Sequence, residues 1–144
     1  MRKIFYVLAT TVLLAGCTTD SDIAVTGKQL QHQQFTLESV NGHPVTKSEP
    51  PMTLNFGETS TLFNHIKISG TLCNNFTGTA TISGGQLTAS GVVMTRKLCS
   101  DKQRNQLDTT LIDMLRQGAQ VDLTETQLTL ATAEQTLVYT QTNK

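Results

Sequence analysis

The chain has 144 residues, and its 11 Lys and Arg side chains balance 11 Asp and Glu, so its formal charge is zero. No basic tract breaks that balance, which argues against a nucleic-acid partner. Length and the absence of tryptophan point to one modest domain with a largely aliphatic core.

The chain opens with Arg2 and Lys3, then a mostly apolar run from Ile4 to Leu14. That run is too short to cross a ~30 Å hydrocarbon core as a helix, and it suits the hydrophobic part of a secretory signal. Leu14-Ala15-Gly16-Cys17 matches the bacterial lipobox, in which the cysteine sulfur receives a diacylglyceryl group and the leader is cut off just before it. Small residues at 15 and 16 suit a peptidase that closes around the chain. The expected organisation is a lipoprotein signal peptide at 1–16, a polar lipidated tether at 17–31 and a folded domain at 32–144. Loss of Arg2 and Lys3 leaves two more acidic than basic side chains in the mature chain. Beyond the leader no segment is long and apolar enough to span a membrane as a helix, so attachment comes from the lipid. At ~0.8 kcal/mol per buried methylene, several acyl chains such as palmitate hold a domain firmly. Thr18, rather than aspartate, follows the acylated cysteine and favours the outer membrane, with the domain facing the periplasm.

Acylation of Cys17 leaves Cys73 and Cys99 as the remaining thiols. An oxidising periplasm favours their joining as a disulfide, worth roughly 3.5 kcal/mol in the chain-entropy model. The alternative is two separately buried thiols. A metal site is disfavoured, because neither cysteine has a second cysteine or histidine at ligand spacing.

From Phe35 the chain alternates: Phe35 and Leu37 against Thr36 and Glu38 predict a strand with one buried face. Asn41-Gly42 marks a tight turn, and Pro50-Pro51 breaks regular structure before a strand at 52–56. Leu62, Ile66, Ile68 and Leu72 share one parity, with Lys67, Ser69 and Thr71 on the other. Gly84-Gly85 sits between two alternating runs as a hairpin signal, and three more short alternating runs close the chain. Between them the period changes. Leu107, Leu111, Met114 and Leu115 form one helical face over 101–117, widened by Ile112. Ser100 and Gln103 resemble a capping box, and Gly118 stands where the helix stops. The expected fold class is mainly β: a small curled antiparallel sheet or partly closed β-barrel with one amphipathic helix at about 101–117. Closure protects the sheet edges economically, and a two-sheet sandwich is the runner-up.

Signals for catalysis are missing. His32, His43 and His65 are scattered without metal-ligand spacing, no nucleophile elbow or phosphate-cradling glycine loop is present, and the carboxylates are dispersed. Neither a metal nor a cofactor is expected. What stands out is a pair of motifs, Gly70-Thr-Leu-Cys-Asn-Asn-Phe-Thr-Gly78 followed by Met94-Thr-Arg-Lys-Leu-Cys99. In this order they resemble the META domain, whose Gly-x-x-Cys-Asn segment is matched at Gly70, Cys73 and Asn74. Its Thr-Arg-x-x-Cys segment is matched at Thr95, Arg96 and Cys99. The resemblance runs from about Leu30 onward and implies a compact β-rich domain with a helix.

Residue chemistry reads these motifs as structural first. Gly70 permits a bulge or a close backbone approach, and Asn74 and Asn75 can satisfy backbone groups in a turn after Cys73. Arg96 can bind a carboxylate or ligand anion, or form an ion pair within the fold. The candidate contact patch is therefore Asn74, Asn75, Thr95 and Arg96, beside Cys73 and Cys99. The leading expectation is a non-enzymatic envelope protein acting by binding. The resemblance implies heat-shock association and tolerance of novobiocin-type antibiotics. The alternative is a small-ligand carrier or an enzyme inhibitor in the periplasm. Expected partners are the lipid bilayer, through the acyl chains on Cys17, and an envelope protein or small molecule.

Overall fold

The computed structural model describes residues 24–142, apart from 48 and 61. The leader and Cys17 lie outside the described residues. Among the described residues ten strands and two helices follow in order. These are α1 (Gly27–Leu30), β1 (Gln34–Val40), β2 (His43–Pro44), β3 (Thr53–Ser60), β4 (His65–Thr71) and β5 (Asn75–Ser83). After them come β6 (Gln86–Thr88), β7 (Val93–Met94), α2 (Lys102–Gln117), β8 (Ala119–Leu123), β9 (Gln127–Ala131) and β10 (Thr136–Gln141).

Eight of the strands form a closed antiparallel barrel in the order β1-β3-β4-β5-β6-β8-β9-β10, and β10 pairs back onto β1. The closing register sets Phe35 opposite Gln141 and Val40 opposite Leu137, with a shift between Leu37 and Ser39 that lets the seam bend. Short β2 and β7 add to β1 and β5 outside the ring. Alternation does the sorting along each strand. Phe35, Leu37, Leu54, Phe56, Ile66, Ile68, Leu128 and Leu130 are all at most 3% exposed, whereas Thr77, Thr79 and Thr81 face water. Phe35 and Phe56 meet edge to face at 5.9 Å. The Gly84-Gly85 turn has positive φ at both positions, as a two-residue hairpin of matching twist requires.

Helix α2 lies across one end of the barrel. Its backbone at Leu115 accepts a hydrogen bond from Ala89 just past β6, and its side chains share a groove with Thr132 to Gln135 at the β9–β10 turn. Leu107, Leu111, Met114 and Leu115 are buried as the helical period predicts, and Ile112 is half-buried. The cap falls one residue later than the sequence signal. Asp101, not Ser100, is the N-cap, and its carboxylate accepts from Gln103 N at 2.8 Å. A negative charge there also suits the helix dipole. At the other end α1 packs against β3 and β5, with Gly27 close to Thr59 and Ile82.

Two local expectations are corrected. Leu62 is 84% exposed, because it lies between β3 and β4 and the parity of a strand does not carry through a turn. Residues 24–31, assigned to the tether, join the packed unit: Val25, Gly27 and Leu30 are buried, and Leu30 belongs to the core.

Tyr139 is the barrel's polar exception. Its side chain is fully buried, its hydroxyl has no partner among the described residues, and burial pushes its pKa up. Because the folded state holds this proton more tightly than the unfolded chain, stability falls as pH rises past the ordinary tyrosine value of about 10. Tyr139→Phe should therefore match or exceed the parent's stability at neutral pH, by up to about 1 kcal/mol. It should also lose less stability above about pH 10 in urea unfolding measured across that range.

Candidate functional site

The two sequence motifs meet at the α2 end of the barrel. Cys73 and Cys99 are joined by a disulfide, with Cα atoms 5.8 Å apart. Cys73 and Asn74 form the β4–β5 turn, where Leu72 N donates to Asn74 O at 3.0 Å. The second motif runs antiparallel beside β5, with Met94 opposite Phe76 and Thr95 N donating to Asn75 O at 3.0 Å.

Asn74 ties these pieces together and is only 6% exposed. Its Oδ1 accepts from Lys97 N at 2.7 Å and from Thr95 Oγ1 at 3.0 Å. Its Nδ2 donates to Lys97 O at 3.0 Å and to Asp108 Oδ2 at 2.8 Å. A primary amide has two donors and two acceptor lone pairs, so this side chain is saturated. Thr95 Oγ1 also accepts from Asn75 N at 3.0 Å. Three of the four candidate patch residues, Asn74, Thr95 and Asn75, thus make side-chain hydrogen bonds within the fold, and of the four only Asn74 is buried.

Asn75, Thr95 and Arg96 are exposed. Asn75 Oδ1 accepts from Thr71 Oγ1 at 2.9 Å, and Arg96 makes no hydrogen bond or ion pair among the described residues. Lys97 and Leu98 extend the same exposed segment. The structure brings Asn74, Asn75 and Thr95 into direct contact and sets Arg96 next to them in the chain.

Two residues that support the motif turn were missed in the sequence, Arg104 and Asp108. Both are buried on the inner face of α2, at 6% and 8% exposure. Asp108 Oδ1 accepts from the backbone N–H groups of Cys73 at 3.1 Å and Asn74 at 3.2 Å. Arg104 donates to the carbonyls of Leu72, at 3.0 Å, and Pro50. Asn105 holds the other cysteine, accepting from Cys99 N at 3.0 Å and donating to Cys99 O at 2.7 Å. The signal was present in the spacing, since 104 and 108 fall on the same helical stripe as Leu107, Leu111 and Leu115.

The exposed groups of the site offer hydrogen bonds and charge. Asp108 has both carboxylate oxygens committed to structural donors. His32 in the turn before β1, His43 on β2 and His65 on β4 are exposed, and among the described residues no group of three or more His, Cys, Asp or Glu could hold a metal ion. Surface concavities flank the site. One of about 500 Å³ is lined by Leu37, Glu38, Val45, Lys47, Met52 and Arg104 among others, and one of about 340 Å³ lies against Cys73, Cys99, Lys97 and Leu98.

A closed barrel with a helix across its end and this cysteine-braced pair of motifs defines a small β-barrel domain of the META type. Residues 28–144 match the META domain family, and the chain belongs to that family. Over 139 residues it is 51% identical to Heat shock protein HslJ of Escherichia coli (strain K12), covering 96% of this chain and 95% of that protein. A protein solved by NMR is 53% identical, with a TM-score of 0.72 over 81% of this chain and 94% of the other. A second NMR structure, from Burkholderia xenovorans, shares the fold at 21% identity, with a TM-score of 0.59 over 82% and 87% of the two chains.

Proposed function

We propose that this protein is an envelope stress lipoprotein, anchored in the outer membrane through acyl chains on Cys17, whose domain works in the periplasm by binding and not by turnover. The observation that carries the stress reading is its 51% identity to HslJ along nearly the whole of both chains, since that protein is named for heat shock. The reading extends to tolerance of novobiocin-type antibiotics, as the family resemblance implies. Binding is favoured over catalysis by the chemistry of the motif region, where the buried carboxylate serves backbone and amide donors and the outward groups are an amide and a guanidinium. The contact is made by Asn75 and Arg96, presented by a frame of Asn74, Thr95, Asp108 and the disulfide.

Asn75→Ala and Arg96→Ala should fold normally, because both side chains are exposed. Each should weaken partner capture by about 1–3 kcal/mol if its group is buried in the contact. Crosslinking and pull-down from the intact envelope, with and without heat stress, reads this directly. Unchanged capture by correctly folded variants rejects the patch. Turnover of an envelope substrate, abolished by one acidic or histidine substitution, rejects the binding role.

The small-ligand alternative has one specific support, the concavity of about 500 Å³ between β1, the end of β10 and the segment before β3. A mixed lining of Leu37, Val45 and Met52 with Glu38 and Lys47 suits a ligand with both apolar and polar parts. Such a ligand would bind between the barrel wall and that segment, because the barrel interior is packed with side chains.

A further inference from the structure

Leu62 and Phe63 lie side by side between β3 and β4, 84% and 67% exposed. Phe63 stacks loosely on His65, ring centroids 5.9 Å apart, and leaves most of its surface in water. Single exposed apolar residues are ordinary; an adjacent Leu-Phe pair at a hairpin tip, beside the origin of a membrane tether, is not.

The position of this pair sets its partner. Gly27 packs on Thr59 near the end of β3, and Ala24 lies against Gly85 at the β5–β6 turn, so the N-terminus enters at the barrel end that carries the β3–β4 hairpin. From Ala24 back to Cys17 the chain can span at most ~25 Å. An acyl anchor on Cys17 therefore holds this end of the barrel close to the bilayer surface, within reach of a tilted hairpin. Among the described residues the other exposed large apolar side chains, Val93 and Leu98, belong to the segment at the opposite, α2 end.

We propose that Leu62 and Phe63 insert into the interfacial layer of the bilayer that holds Cys17, as a second contact beside the acyl chains. Anchor and wedge then fix the barrel's direction. The α1 end meets the lipid, and the α2 end, with Asn75 and Arg96, points into the periplasm. This orientation rests on the lipid-anchored reading of Cys17.

The test uses the mature protein purified from the envelope and placed on phosphatidylethanolamine–phosphatidylglycerol vesicles containing spin-labelled lipid. Leu62→Cys and Val93→Cys variants carry an environment-sensitive fluorophore, and mass spectrometry measures the acyl mass on Cys17 in the same samples. Both positions are exposed, so the substitutions leave the core intact. The expected result is a blue shift and quenching at position 62 with water-like emission at 93. Equal water-like emission at both positions on an acylated protein overturns the wedge alone. Quenching on a protein without acyl mass, with peptide mapping placing the fluorophore on residue 62 and not on Cys17, sustains the wedge and overturns the anchor. A blue shift at 62 that depends on protein concentration and needs no vesicles assigns the hairpin to a second copy of the chain and also overturns the wedge.

Discussion

Replacing Asp108 by alanine is expected to destabilise the fold by about 3–5 kcal/mol, a large share of the stability of a domain this size. The carboxylate is 8% exposed and takes hydrogen bonds from Cys73 N, Asn74 N and Asn74 Nδ2. Hydrogen bonds to a charged acceptor are each worth more than neutral ones, and truncation leaves three donors without that acceptor at the barrel's end. Asn74 Nδ2 keeps its bond to Lys97 O, so the turn should loosen before the segment at 95–97 detaches. Urea unfolding gives the loss directly. A change below about 1 kcal/mol would mean that water replaces the carboxylate without penalty, and that α2 does not hold the motif turn.

Gly70→Ala should cost about 3 kcal/mol or more, for a different reason. A Cβ at position 70 would stand 2.1 Å from the carbonyl oxygen of Thr53 and 2.6 Å from Cζ of Phe76. Phe76 is the cross-strand neighbour of Gly70 on β5, and its ring occupies the space that a side chain would fill. The ring can move; the Thr53 carbonyl belongs to the backbone of β3 and cannot move without disturbing the pairing of β3 with β4. Adding Phe76→Leu to Gly70→Ala should therefore fail to restore the urea midpoint. Recovery in the double variant would place the conflict in the ring alone.

These two positions also mark how far sequence reasoning reaches. The Gly70 motif suggested either a bulge or a close approach, and the structure shows the close approach, to a strand 17 positions earlier and a ring that sequence cannot orient. Asp108 left a different trace. It sits on the helical stripe with Leu107 and Leu111, and a polar residue on an apolar face signals a buried hydrogen-bond partner. Its partners, Cys73 and Asn74, are invisible to local periodicity because they are 35 and 34 positions away.

The barrel strands, the Gly84-Gly85 hairpin and α2 were legible because each depends on a pattern within one short segment, whereas the two-residue strands β2 and β7 are too short to show a period. Closure was less so. The β1–β10 seam joins Val40 to Leu137, and nothing in either strand's alternation names the other as its neighbour. For the patch, residue type suggested Asn74, Asn75, Thr95 and Arg96 as one unit. The structure separates them by burial: Asn74 is buried and saturated in the turn, whereas Asn75, Thr95 and Arg96 lie at the surface. The burial of Val25 and Leu30 was hidden by the polar residues around them, since two apolar side chains in such a run make no period.

The proposed lipid-anchored stress role is tested most directly by survival after heat shock in a strain lacking the gene. One complementing copy encodes the parent chain; the other carries Cys17→Ser behind an ordinary cleavable export signal, so that the same barrel is released free into the periplasm. The prediction is that the parent restores survival and the unanchored form, at equal abundance, does not. Full rescue by the unanchored form, or a deletion strain that survives as well as its parent, would contradict it.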